Sequence, residues 1–99
     1  MKKYSLFIGL NDKDTKVQKI STVDAFQIVA RIVGDATITE NRGVYTHDSG
    51  VQVVETSFCV QKFDFDGNFD LKKAVEDIKR ILNQESVAVV IEDVNSVLM

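Results

Sequence analysis

The sequence predicts an α+β fold with four strands and two helices in the order βαββαβ. Four segments are rich in β-branched and aromatic residues, which favour strands. Two other segments carry apolar residues at the three- and four-residue spacing of an amphipathic helix. The length of 99 residues suffices for one domain, so we assign residues 1–99 to a single domain whose tail, 92–99, could form an extra strand.

The first part of the chain contains a strand followed by a helix. Every second residue from Tyr4 to Leu10 is apolar, which predicts a strand with one apolar face, and Phe7 is the lone aromatic on the other face. A helix is predicted at 22–33, because capping hydroxyls precede an apolar stripe of helical spacing. Gly34 follows as the end of this helix, because glycine readily adopts the left-handed conformation.

A β-hairpin is predicted next, with arms at 36–46 and 51–63. Both arms are rich in valine, threonine, isoleucine and aromatic residues, and the four residues between them are typical of a turn. The first arm does not alternate cleanly between apolar and polar residues. We therefore expect a bulge near 41–43, where one extra residue would restore the alternation.

The remaining segments predict a helix and a final strand. An apolar stripe predicts a helix over about 71–83, with Asn68 or Asp70 as its cap. Residues 87–91 are apolar on both faces of the predicted last strand.

This order of elements gives the ferredoxin-like split βαβ arrangement, with the first and third strands in the centre of an antiparallel sheet. Two helices cover one sheet face and leave the other open. Phe7, Val53 and Cys59 are predicted on the open face, and an apolar patch of this kind typically marks a contact surface. We therefore expect a homodimer or higher oligomer that forms through this face, unless the tail covers it.

The composition restricts the classes of partner. Twelve Lys+Arg and fifteen Asp+Glu give a net charge of −3, which disfavours nucleic acids and anionic membranes as partners. The longest apolar run has five residues and is too short for a membrane span. One cysteine, and no pattern of a secretion signal, indicate a cytoplasmic protein.

Cys59 and His47 are the only thiol and the only imidazole in the chain. A catalytic dyad requires them within hydrogen-bond reach, but the hairpin register separates them by eight strand positions, about 26 Å. We therefore predict no catalytic residue, and Cys59 is interpreted as a small hydrophobic residue. Arg42 and Glu55 are expected to form a surface ion pair across the hairpin.

No metal or cofactor is predicted. The acidic segment 64–70 places oxygen ligands at alternate positions, but its glycine comes two positions early for an EF-hand, and Val75 occupies the position of the final glutamate. Glycine-rich phosphate loops are absent from the sequence.

Residues 6–11 resemble the first-strand signature of RNA-recognition-motif domains, which share the βαββαβ order. This resemblance implies that Phe7 stacks on a base of single-stranded RNA. The family's second signature belongs on the third strand, whereas the matching Arg42 and Gly43 lie on the second strand here. Single-stranded RNA binding is therefore kept as a second alternative only.

The first sixty residues also resemble a group of small uncharacterised bacterial and phage proteins. Their shared pattern is a strand ending in Phe-Gly-Leu, a glycine-aromatic strand and a Glu-Ser strand, and it is matched loosely by 6–10, 42–45 and 54–57. The resemblance implies a ferredoxin-like fold and a phage or mobile-element origin, and it implies no catalytic residue.

From these observations we expect a non-enzymatic binding or assembly protein, which uses its open sheet face and hairpin to contact itself or another macromolecule, for example a protein partner. The alternative is a small-ligand binder or enzyme of the dimeric α/β-barrel type, in which two sheets enclose a pocket. The residues predicted to contact a partner or ligand are Phe7, Tyr45, His47, Val53, Glu55 and Cys59.

Overall fold

The computed structural model describes residues 1–46 and 49–99. Its elements are β1 (Lys2–Gly9), α1 (Thr22–Val33), β2 (Thr37–Thr46), β3 (Gln52–Asp64), α2 (Leu71–Ile81) and β4 (Ala88–Asp93). The strands form one antiparallel sheet in the order β2-β3-β1-β4. The predicted ferredoxin-like α+β fold, with the first and third strands in the centre, is therefore confirmed.

Both helices begin at the side chains that the sequence provides as caps. The Ser21 hydroxyl accepts a hydrogen bond from the backbone N–H of Asp24 at 3.1 Å, and an Asp70 carboxylate oxygen accepts one from Lys73 at 3.1 Å. These bonds satisfy amide groups that have no partner within the first turn. Gly34 ends α1 with a φ of 69°, a conformation that costs glycine little.

The hydrophobic core lies between the helices and one face of the sheet. Leu6 and Ile8 of β1 and Val60 of β3 are fully buried against Val29 of α1 and Ile78 of α2. Alternate residues of the central strands therefore point into the core, and the residues between them point to the opposite sheet face.

The hairpin of β2 and β3 extends past the helices. Its register is continuous from the pair Thr37–Gln61 to the pair Thr46–Gln52, so the predicted bulge near 41–43 is wrong. Val44 and Val54 lie opposite each other on the helix-covered side of the sheet, yet each is 59% exposed. Since both faces of the hairpin are open to solvent here, the first arm needs no strict alternation and no extra residue.

The sheet face opposite the helices is open over much of its surface. Phe7 in β1 and Val90 in β4 are 46% and 45% exposed. The strand β4 extends to Asp93 and thereby includes the start of the predicted tail. The apolar residues at the end of the tail, 97–99, are themselves exposed and leave Phe7 uncovered. In the part of the chain that the structure describes, no helix has the length and apolar character needed to cross a membrane.

Candidate functional site

A cleft of about 440 Å³ lies on the open sheet face, where β1 ends. Its floor is formed by the sheet, and its walls are formed by the loop 11–16 and by the segment 84–86 that leads into β4. Sheet residues Phe7, Tyr45 and Glu55 line it, and all three were predicted as contact residues. The open face therefore contains a site large enough for a small organic ligand.

Glu55 is a half-buried acidic side chain of this cleft. Its Oε2 atom accepts a hydrogen bond from the backbone N–H of Asn11 at 3.1 Å. Glu55 thus reaches from β3 across the sheet to the end of β1. The predicted ion pair with Arg42 is wrong, because Arg42 lies opposite Thr56 and so points to the other face of the sheet.

Two aromatic side chains contribute flat surfaces to the cleft. Phe7 lies in the centre of the sheet, between Cys59 of β3 and Ala88 of β4. Tyr45 lies farther out on the hairpin, opposite Val53. Rings of this kind can pack on a planar ligand ring or on an organic cation.

The loop after β1 is held by Asp12, which is buried at the edge of the cleft. Its Oδ1 atom accepts hydrogen bonds from the backbone of Asp14 and Thr15, and its Oδ2 atom accepts one from the Asn83 side chain at 2.9 Å. The Asn83 amide and these backbone groups hold the pKa of the Asp12 carboxyl well below its usual value, because they stabilise the ionised form.

A second contact joins the same loop to the end of α2. The Gln84 side chain donates a hydrogen bond to the carbonyl oxygen of Asn11 at 2.8 Å. Lys13 and Lys16 of this loop line the cleft, and so do the acidic residues Glu55 and Glu85. The cleft therefore offers both signs of charge beside aromatic surfaces.

Two of the other predicted contact residues lie outside this cleft. Cys59 and Val53 lie on the open face, but neither lines the cleft. His47 is outside the described residues. Sequence reasoning missed Gly9, and it also missed the loop lysines and Gln84, whose only signal was their position after a strand or a helix.

A larger groove of about 650 Å³ lies around the C-terminal end of β3. The ammonium group of Lys62 lies 4.9 Å from the centre of the Phe69 ring and donates a hydrogen bond to the carbonyl oxygen of Asp35. The Phe63 ring has the Lys3 ammonium 5.5 Å from its centre. Since the protein's own lysines lie over these two rings, we consider the smaller cleft the better candidate for a ligand.

Among residues 1–46 and 49–99, no group of three or more His, Cys, Asp or Glu side chains is arranged to hold a metal ion. The acidic segment 64–70 instead caps itself and the following helix. The Asp66 carboxylate accepts from the backbone of Asn68, and Asp64 accepts from Phe69.

The fold and the cleft together define a small α+β protein with a ligand-sized site on its open sheet face. Solved structures of a phage SAM lyase are similar to it. A phage SAM lyase in complex with S-methyl-5'-thioadenosine is 27% identical, with 93% of this chain and 80% of that chain covered and a TM-score of 0.66. A phage SAM lyase in the apo state is 27% identical, with 92% and 78% covered and a TM-score of 0.68. No family model and no curated protein matches the chain.

These similarities correct the functional expectation from the sequence. The expected non-enzymatic binding or assembly protein is wrong, because the similar solved structures are those of an enzyme, one of them with a small bound nucleoside. The alternative, a small-ligand binder or enzyme, agrees better with the comparisons. The predicted likeness to small phage proteins is supported, since the similar structures come from phage.

Proposed function

We propose that this protein binds S-adenosylmethionine in the cleft at the end of β1 and cleaves it to release S-methyl-5'-thioadenosine. The observation that carries the proposal is the similarity to a phage SAM lyase, which extends over 93% of this chain at 27% identity. The cleft supports it independently. S-adenosylmethionine carries an adenine ring, positive charges on sulfur and nitrogen, and a carboxylate, and the cleft offers aromatic rings, carboxylates and lysines.

The proposed reaction breaks the bond between the sulfonium sulfur and the γ-carbon of the methionine part. The electron pair of that bond stays on sulfur, which becomes the neutral thioether of S-methyl-5'-thioadenosine. The γ-carbon then forms a new bond in one of two ways. Either the substrate's own carboxylate bonds to it and closes a lactone, or a base removes a proton from the β-carbon and a double bond forms between the β- and γ-carbons. Both routes balance without an added co-reactant.

The loss of charge on sulfur restricts how the protein can accelerate this step. A carboxylate directly against the sulfonium would stabilise the substrate more than the transition state, because the positive charge decreases as the bond breaks. Apolar and aromatic surface next to sulfur avoids this penalty. We therefore assign Phe7 to the surroundings of the sulfonium or the adenine ring, and Glu55 to groups that do not change charge.

Two groups of the substrate that keep their charge can bind the Glu55 carboxylate: the ribose hydroxyls and the α-ammonium of the methionine part. Both donate hydrogen bonds, and a carboxylate accepts them more strongly than a neutral group does. Lys13 and Lys16 are exposed beside the cleft and would attract the substrate carboxylate. S-methyl-5'-thioadenosine retains the ribose but lacks the ammonium, so its affinity distinguishes the two assignments.

The direct test is to incubate the purified protein with S-adenosylmethionine and to quantify S-methyl-5'-thioadenosine by mass spectrometry. We expect product formation by the native protein, and a loss of about tenfold or more with Glu55→Gln, because a hydrogen bond to a charged group is replaced. Glu76→Gln is the matched control, since it makes the same change on the exposed face of α2.

Calorimetric titration with S-methyl-5'-thioadenosine completes the test. Weaker binding to Glu55→Gln than to the native protein would assign Glu55 to the ribose, and equal binding would assign it to the ammonium. Absence of product together with absence of binding of either compound would refute the proposed function.

A further inference from the structure

We infer that Gly9 is a positioning residue of the cleft, because its missing side chain is what allows the Glu55 carboxylate to lie across the end of β1. The importance of this position for catalysis rests on the proposed function. The packing argument itself does not, because it depends only on the contacts among Gly9, Glu55 and Asn11.

The contact between Gly9 and Glu55 leaves no room for a β-carbon. Gly9 lies opposite Ser57, and Glu55 is two residues from Ser57 on the same face of the sheet. A Cβ atom built on Gly9 would be 2.6 Å from the Oε1 atom of Glu55 and 2.8 Å from its Cδ and Oε2 atoms. These distances are well below the roughly 3.5 Å at which non-bonded heavy atoms attract each other.

The Glu55 side chain, rather than the backbone, would yield to such an atom. Gly9 is paired with β3, and the next residue, Leu10, donates a backbone hydrogen bond to Thr56 at 3.0 Å. Gly9 is not among the residues with positive φ, so alanine fits its backbone conformation. We therefore expect Gly9→Ala to fold normally and to displace the carboxylate, which breaks its hydrogen bond with the N–H of Asn11.

Gly43 provides a matched control, because it flanks the same glutamate from the other side. It lies opposite Glu55 on β2, and it also has no positive φ. A Cβ atom on Gly43 would approach nothing closer than 3.9 Å, which is ordinary contact. Gly43→Ala therefore makes the same chemical change beside Glu55 without displacing its carboxylate.

The first measurement needs no ligand. The backbone amide resonance of Asn11 reports its hydrogen bond with Glu55, and it can be compared in two-dimensional NMR spectra of the variants. We expect this resonance to shift in Gly9→Ala and in Glu55→Gln, and to stay in place in Gly43→Ala. An unshifted Asn11 resonance in a folded Gly9→Ala protein would overturn the inference, whether or not the native protein cleaves S-adenosylmethionine.

The second measurement is a double-mutant cycle on the rate of product formation, with the melting temperature of each variant recorded as a check on folding. We expect Gly9→Ala to reduce kcat/KM by about tenfold or more, as expected for loss of a hydrogen bond to a charged group. In the background of Glu55→Asp, the shorter side chain of residue 55 avoids the clash. Gly9→Ala should therefore reduce kcat/KM by about threefold or less in that background.

Equal losses in the two backgrounds would overturn the positioning role, since a purely structural defect would not depend on the length of residue 55. If the native protein forms no product, the proposed function fails, while the NMR comparison still decides whether Gly9 positions Glu55.

Discussion

Among single residues, Asp12 is the one whose hydrogen bonds hold the loop beside the cleft. It is buried, and its carboxylate accepts hydrogen bonds from the loop backbone and from Asn83. These donors favour the ionised carboxylate and lower its pKa in the folded protein. In the unfolded chain the donors are lost, so the pKa returns to its ordinary value.

This difference predicts how stability depends on pH. The stabilisation by Asp12 is fully present above the ordinary pKa of an aspartate, and it is lost as the pH falls toward the lower pKa of the folded state. We expect Asp12→Asn to unfold at lower urea concentration than the native protein at pH 7, and the difference to shrink below pH 4. Glu76→Gln, on an exposed helix face, serves as control. A difference that grows on acidification would contradict the assignment.

Among the elements, α2 illustrates how one helix stabilises the fold through a single face. Ile78 is fully buried in the core, whereas Ile81, three residues later, is 40% exposed. The same apolar residue type should therefore contribute very differently to stability at the two positions, because only one side chain is fully removed from water.

Alanine substitutions on α2 test this difference. We expect Ile78→Ala to reduce the free energy of unfolding by about 2–5 kcal/mol, and Ile81→Ala by less than about 1 kcal/mol. Urea denaturation of each variant at neutral pH measures both losses. Similar losses for the two variants would contradict the described position of the helix on the sheet.

For the whole molecule, the open sheet face is the surface through which we expect copies of this chain to associate. Val90 and Phe7 are exposed on this face, and apolar surface of this kind is a typical interface between subunits. The homodimer or higher oligomer that the sequence predicts stays a prediction, and it is compatible with a ligand site on the same face.

Light scattering tests the association directly. We expect a particle mass of at least twice the mass of one chain, and Val90→Lys should shift the protein toward monomer, because it introduces a charge into the apolar face. Val23→Lys is the matched control, since Val23 is an exposed valine of α1, outside the open face. A native monomer at every concentration would refute the prediction.

The local elements could be predicted closely, because their determinants lie near each other along the chain. The helix predicted over about 22–33 agrees with α1 (Thr22–Val33), because the serine before it and the glycine after it indicate its ends. The bulge near 41–43 was predicted wrongly, because the alternation rule assumes that one face of the strand is buried. The helices do not cover this part of the hairpin, and no local sequence pattern indicates where along the hairpin the helices stop covering the sheet.

The amino-acid sequence by itself determined the α+β order of elements, the open apolar face and three of the cleft residues, Phe7, Tyr45 and Glu55. These features follow from alternation, helical spacing and residue type. Only the tertiary structure decided that the face contains a cleft, since the cleft requires Asp12 to bind Asn83, 71 residues away, and Glu55 to reach Asn11 across Gly9. Contacts between residues so distant in the chain depend on how the elements pack, and no local pattern encodes them.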